Sequence, residues 1–250
     1  MNASNHAEDT RDALQYIGYH GYPTGEYSHV KTKDDMSKFF DYVDFFVDGK
    51  AAAVQAVVDS LSPGTQTMLD ENGLMGPLFG GLDDPSYWVA GGAYWAYFWV
   101  RAAARFGGKM AVVGQSQFMD SPDREPGVTM MDWRSGNGTA KYWVTRLVIE
   151  SVSLGDQFHP SSTSSPDLHA QGFTHFDEFA DQEKRVLLIN KKNAPVTVTV
   201  PAGVSALAVD NTTHQGPART VSIGADGVLQ LGPYSTAVVT VSSSEHRGPL

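Results

Sequence analysis

An acidic pair, Asp70 and Glu71, is the part of this sequence best suited to chemistry, because it directly follows a short extended segment at residues 65–69. Neighbouring side chains of an extended backbone point to opposite faces, so only one of the two carboxylates is expected to enter a given pocket. A carboxylate at the carboxyl end of a strand lies where parallel α/β folds build their sites. We therefore predict that Glu71 is the catalytic residue. Acidic side chains are mostly exposed, so two solvated acids opening a loop, or a helix cap at Asp70, are equally open interpretations.

Further polar and aromatic side chains follow the extended segments 14–19 and 109–114. These candidates for substrate contact are His20, Tyr22, Gln115, Gln117 and, in the loop beyond, Trp133. The eight histidines are scattered and there is no cysteine, so the sequence offers no metal-ligand pattern and no thiolate nucleophile. Residues 114–117 lack the second glycine of the elbow that carries a nucleophilic serine. We expect neither a metal nor a cofactor.

Composition narrows the possible partners. The chain has 250 residues with 41% hydrophobic and 18% charged residues, which is typical of a globular protein of one or two domains. A net charge of -10 disfavours nucleic acid, because phosphate binding needs clustered lysine and arginine. No run approaches the roughly 20 apolar residues of a membrane span. The first thirty residues contain no apolar signal segment, whereas three short matches to the glycosylation pattern hint at secretion, so the compartment stays open.

The order of elements predicts two domains. Strands at 14–19, 65–69 and 109–114 alternate with helices at 33–61, 87–106 and 140–152, which is a run of βα units. Three such units cannot close a barrel by themselves. From about residue 158 the pattern changes to seven short β-branched or alternating runs, about ten residues apart, separated by proline and glycine. These predicted strands are 168–174, 185–190, 196–200, 206–209, 220–223, 228–231 and 237–241. We predict an α/β domain over residues 1–158 and an antiparallel β-sandwich over 159–250.

The chain resembles the C-terminal half of a clan A glycoside hydrolase, in which a (β/α)8 (TIM) barrel is followed by a β-sandwich, as in xylosidase-, glucuronidase- and heparanase-like families. Residues 69–73, Leu-Asp-Glu-Asn-Gly, look like the end of the seventh barrel strand, which carries the nucleophile. Residues 19–22, Tyr-His-Gly-Tyr, look like the end of the sixth strand, and residues 113–118 look like the eighth. The resemblance implies a partial barrel, comprising its last three βα units, joined to a sandwich.

This resemblance implies retaining glycoside hydrolysis. Such a reaction needs two carboxyl groups about 5 to 5.5 Å apart, one ionised and one protonated, and Glu71 is the expected nucleophile. A hydroxyl donated by Tyr22 or Tyr19 would keep it charged, and His20 would donate to the substrate or to Glu71. Gln115 and Gln117 would bind sugar hydroxyls and Trp133 would stack on the ring, whereas Trp88, Trp95 and Trp99 are expected in the core.

One element of the family pattern has no counterpart here. The acid/base glutamate of these enzymes follows an asparagine at the end of the fourth strand, and neither Glu8 nor Glu26 has that setting. We therefore expect a glycosidase architecture with little or no turnover by this chain alone. The alternatives are a non-catalytic carbohydrate-binding protein whose sandwich recognises the glycan, and an interaction protein whose open sheet pairs with a chain that supplies the missing N-terminal half of the barrel.

Overall fold

The first half of the chain forms a parallel sheet, of which three strands lie in the described residues. The computed structural model describes residues 14–74, 85–112, 130–132, 135–176, 183–201 and 204–241. Strands β1 (Tyr16–His20), β2 (Gln66–Glu71) and β3 (Met110–Val112) pair in the order β1-β2-β3. The helices of this half are α1 (Lys38–Phe45), α2 (Ala52–Leu61), α3 (Pro85–Phe106) and α4 (Ala140–Ser151). The predicted alternation of strands and helices is confirmed.

The long helical segment predicted at 33–61 changes geometry in its middle. A 3₁₀ turn at Asp34–Ser37 leads into α1, and a π-helical stretch, Phe46–Ala51, joins α1 to α2. A side chain at Gly49 would meet nothing within 4 Å, so this glycine is not required by packing. The next pair of helices does depend on a glycine. A Cβ at Gly92 of α3 would lie 2.9 Å from the carbonyl oxygen of Ala140, so only glycine lets α3 and α4 approach this closely.

The parallel sheet has two unlike faces. Thr67 and Leu69 are fully buried, and the Thr67 hydroxyl donates to Oε1 of Gln55 in α2 at 2.8 Å, so these residues face the helices. Tyr16, the first residue of β1, is 51% exposed and lies on the opposite face of the sheet. In a complete barrel this face would line the interior. Side chains two residues apart on a strand share a face, so His20 lies on the same side as Tyr16.

The second half is an antiparallel β-sandwich. Its strands are β4 (Gln157–His159), β5 (Leu168–His175), β6 (Glu183–Asn190), β7 (Val196–Thr199), β8 (Ser205–Val209), β9 (Arg219–Thr220), β10 (Val228–Leu231) and β11 (Thr236–Val241). Six form one sheet in the order β4-β5-β6-β11-β8-β9, and β10 pairs with β7. Strand β4 spans the predicted domain limit at residue 158, and the division into 1–158 and 159–250 stays a prediction.

The two halves share a hydrophobic core. One cluster of buried side chains includes Phe40 of α1, Phe98 of α3, and Val238 of β11. A second, smaller cluster fills the sandwich around Leu188 and Leu229. No helix in the described part of the chain is long and apolar enough to cross a membrane.

Candidate active site

Glu71 is the last residue of β2, the middle strand of the parallel sheet. Pairing with β1 is regular up to Tyr19 and Leu69, but His20 is then opposite Glu71. Asp70 is therefore an extra residue in β2, which is the arrangement of a β-bulge. The bulge interrupts the strict alternation of side chains immediately before Glu71.

The imidazole of His20 lies between the two carboxylates. Its Nδ1 is 3.1 Å from Oε2 of Glu71, and its Nε2 is 3.9 Å from Oδ1 of Asp70. The Glu71 side chain is 32% exposed and that of His20 is 56% exposed, so the pair is open to a ligand. An Nδ1–H of His20 can donate to Glu71, and this contact orients the carboxylate.

The expectation that only one member of the acidic pair could enter a given site is wrong. Both carboxylates approach the ring of His20, because the extra residue in β2 breaks the two-residue period on which that expectation rested. The sequence does carry a signal for the position of Asp70. Gly18, inside β1, lies where a Cβ would be 2.6 Å from Oδ2 of Asp70, and an isolated glycine in a strand often marks such a close approach.

The two tyrosines proposed as partners of Glu71 have different surroundings. Tyr19 points towards the helices, since its ring packs 6.1 Å from that of Phe46 and burial raises its pKa to about 12. It is on the wrong face of β1 to serve Glu71. The ring of Tyr22 lies edge-on to His20, with centroids 6.1 Å apart. Tyr22 thus lies beside the histidine, and its predicted role in binding substrate stays a prediction.

The other predicted substrate contacts, Gln115, Gln117 and Trp133, lie outside the described residues. Trp88 and Trp95 are buried and Trp99 packs against the core, as predicted. Among the described residues, no group of three or more His, Asp or Glu could hold a metal ion.

A connection between the halves was not foreseen from the sequence. Asp132 is buried in the segment that leads to α4, and its Oδ2 accepts hydrogen bonds from Ser135 at 2.8 Å and from Gln215 of the sandwich at 2.9 Å. The contact joins residues 83 positions apart, which no local pattern indicates.

Comparison with known proteins supports the fold. The model of the family described as D-apionate lactonase, C-terminal immunoglobulin-like domain, matches residues 178–239, within the sandwich. A search of the curated proteins finds no significant match.

Solved structures of glycoside hydrolases match most of the chain. CelM2, a bifunctional glucanase-xylanase from a metagenome library, is 16% identical with a TM-score of 0.54, over 92% of this chain and 44% of CelM2. The α-L-arabinofuranosidase of Thermotoga maritima is 13% identical with a TM-score of 0.56, over 92% and 53% of the two chains. The catalytic domain of xylanase C from Talaromyces cellulolyticus, of family GH30, is 11% identical with a TM-score of 0.50, over 92% and 62%.

These similarities confirm the predicted fold. The chain has the fold of a partial TIM barrel followed by a β-sandwich, and it is similar in this respect to the glycoside hydrolases that it matches. It spans about half the length of the solved structures that it matches. Sequence identity of 11–16% supports a shared fold only. The reaction has to be inferred from the residues of the site.

Proposed function

We propose that this chain carries the nucleophile side of a retaining glycoside hydrolase site, with Glu71 as the nucleophile. One observation supports the proposal above the others. Glu71 ends the middle strand of a parallel sheet at its carboxyl edge, with Nδ1 of His20, from the end of the neighbouring strand, 3.1 Å from its carboxylate. Open α/β sheets and barrels build their sites at this edge.

The chemistry assigned to the pair is as follows. A carboxylate oxygen of Glu71 attacks the anomeric carbon, the glycosidic C–O bond breaks, and the leaving oxygen takes a proton from a general acid. Water then hydrolyses the glycosyl ester and releases Glu71. His20 holds the carboxylate by its Nδ1–H. The proposal assigns no general acid to the described residues, and loss of that acid usually costs 10² to 10⁴ in rate, so turnover of ordinary glycosides by this chain is expected to be slow.

A substrate that needs no general acid gives the sharpest test. A dinitrophenolate group leaves without protonation, and fluorine in place of the hydroxyl beside the anomeric carbon slows hydrolysis of the glycosyl ester, so the intermediate accumulates. Xylose, arabinofuranose and glucose derivatives cover the sugars in the names of the matched structures. We expect one of them to release dinitrophenolate in a single burst and to leave its sugar on Glu71, as detected by peptide mass spectrometry.

Two variants make the labelling experiment specific. Glu71→Gln should abolish both the burst and the label. Glu150→Gln is a matched control, because Glu150 is an exposed acid on α4 that pairs only with Arg146 among the contacts described for it. It should react like the parent. A label on a different carboxylate, or no label with any of the three sugars, would contradict the assignment of Glu71.

A second candidate reaction, hydrolysis of a sugar lactone, is favoured by the match of residues 178–239 to the C-terminal domain of D-apionate lactonases. In this reaction water adds to the lactone carbonyl, the ring C–O bond breaks, and a hydroxy acid is formed that releases one proton at neutral pH. Glu71 and His20 would supply the base. Proton release from five-membered aldonolactones, measured with a pH indicator and lost in Glu71→Gln, would support the lactonase. Glycan binding without either reaction would instead support the non-catalytic alternative.

A further inference from the structure

The bulge before Glu71 brings a second carboxylate, that of Asp70, close to His20, and the proposed reaction assigns no step to Asp70. In β2, Asp70 has no partner residue in β1, because Leu69 pairs with Tyr19 and Glu71 with His20. A bulge redirects the side chains around it, and bulges are frequent beside active sites. The position of Asp70 is therefore a feature of the strand pairing and not of the loop that follows.

Gly18 provides the space for this carboxylate. An ideal Cβ at position 18 would be 2.6 Å from Oδ2, 3.3 Å from Cγ and 3.9 Å from Oδ1 of Asp70. All three atoms nearest to the missing side chain thus belong to one residue. Real Cβ atoms do not approach other heavy atoms as closely as 2.6 Å, so any larger residue at 18 would displace the Asp70 side chain.

The Asp70 carboxylate is directed at the far side of His20. Its Oδ1 is shielded from solvent and has no hydrogen-bond partner among the described residues, although the side chain as a whole is 41% exposed. Nε2 of His20 lies 3.9 Å from this oxygen. A shielded carboxylate oxygen without a donor is costly. A doubly protonated imidazole can donate to both carboxylates at once.

We propose that Asp70 is a positioning residue that holds the His20 ring from its Nε2 side, so that Nδ1 stays on Glu71, and that Gly18 is required because it makes room for Asp70. This inference rests on the proposed function of Glu71. It accounts together for the bulge, the glycine within β1 and the orientation of the shielded oxygen. If Asp70 were only a solvated acid opening a loop, Gly18 and Asp70 could be changed independently with little effect on His20.

The experiment compares Asp70→Ala, Gly18→Ala and the double variant with the parent 250-residue protein. The first readout is the rate constant for labelling Glu71 by the fluorinated dinitrophenyl glycoside, separated from the affinity for that probe. We expect each single variant to lower the rate constant by about tenfold, with little change in affinity, since a misplaced catalytic group loses rate before binding. In the double variant Gly18→Ala should cost nothing more, because the space it fills is then empty.

The second readout is independent of the reaction. The order parameter of the His20 ring, from carbon-13 relaxation at about pH 5, should fall in both single variants, because the ring loses its contact on the Nε2 side. Gly64→Ala is the matched control for Gly18→Ala, since a Cβ there meets nothing within 4 Å. It should leave the labelling rate and the His20 ring unchanged.

The outcomes separate this inference from the proposed function. If no probe labels the parent but the His20 ring still loosens in Asp70→Ala and Gly18→Ala, the function of Glu71 is wrong and the positioning role of Asp70 stands. An unchanged His20 ring in Asp70→Ala, or additive losses in the double variant, would overturn the positioning role whatever Glu71 does.

Discussion

A single glycine fixes the main chain of the predicted nucleophile. The amide of Gly21 donates to the carbonyl oxygen of Glu71 at 2.7 Å, which ties the loop after β1 to the end of β2. A Cβ at Gly21 would lie 2.8 Å from Cδ1 of Leu69 and 3.2 Å from Cζ of Phe98. The loop can therefore close over the helical layer only because this residue has no side chain.

We expect Gly21→Ala to lower the free energy of unfolding by about 1–3 kcal/mol, the usual cost of overpacking a well-filled interior. Chemical denaturation measures this change. Gly49→Ala is the matched control, because the alanine methyl meets nothing within 4 Å and alanine is favoured over glycine in a helix by roughly 0.5–1 kcal/mol. Equal stability of the two variants would show that the loop after β1 adapts to a methyl group.

At the scale of single residues, the sequence predicted part of the arrangement at the candidate site. His20 and Glu71 were expected to lie together because each follows a predicted strand, and parallel strands bring such ends together. Asp70 was passed over because a one-residue shift in pairing between β1 and β2 is a property of two strands. The hydrophobic pattern of either strand alone does not specify it.

At the scale of elements, α3 and β5 meet at a half-buried histidine, His169. The rings of Tyr97 and His169 pack edge-on with centroids 5.0 Å apart, and Nζ of Lys191 lies 5.0 Å above the Tyr97 ring. Arg101 Nε donates to Oδ1 of Asp44 at 2.8 Å on the same side of α3. Burial, together with nearby Arg101 and Lys191, lowers the pKa of His169 to about 4. The interface between the two halves of the chain therefore favours the neutral form of the His169 imidazole.

This pKa predicts a loss of stability in mild acid. A histidine whose pKa is lower in the folded chain than in the unfolded chain contributes its full stability above the unfolded value of about 6.5, and loses it as the pH falls towards 4. The contribution is at most about 3 kcal/mol. We expect the free energy of unfolding to fall between pH 7 and pH 4.5, and to fall less in His169→Phe, which keeps a ring against Tyr97 but cannot bind a proton.

The comparison between parent and variant is the decisive measurement, because other groups titrate as well. Asp156 and Asp210, whose pKa values are lowered by hydrogen bonds despite their burial, lose their contributions only below the ordinary carboxyl range. These two aspartates therefore do not contribute to the change in the free energy of unfolding above pH 4.5. The same pH dependence in parent and variant would mean that water reaches His169 in the folded protein.

The sequence predicted most of the helices and strands, but it predicted their ends less accurately. The helix at 140–152 and the strand at 196–200 were found within one residue of α4 and β7, because periodic apolar patterns are strong local signals. The strand predicted at 220–223 is only Arg219–Thr220. This segment lies at the edge of the six-stranded sheet, where pairing with β8 alone decides its length.

At the scale of the whole molecule, Tyr234 joins the sandwich to the partial barrel. Its ring stacks on Phe40 of α1 with centroids 6.2 Å apart, and its hydroxyl donates to the carbonyl oxygen of Lys33. It is fully buried and has a φ of 51°, a left-handed conformation that is uncommon for residues other than glycine. The cost of this conformation is balanced by contacts that reach across the molecule. The two residues are 201 positions apart, and no local pattern of the sequence indicates such a contact.

Because these contacts cross between the halves, we expect the chain to unfold in one transition that depends on Tyr234. Tyr234→Phe removes the bond to Lys33 and should cost about 1 kcal/mol, whereas Tyr234→Ala also removes the stacked ring and should cost about 3–5 kcal/mol. Tyr16→Phe, at a tyrosine that is 51% exposed, should change little. Thermal unfolding followed by near-ultraviolet and far-ultraviolet circular dichroism makes the measurement. Two separate transitions in the parent protein would show that the sandwich and the partial barrel fold independently, and that Tyr234 stabilises only the turn in which it lies.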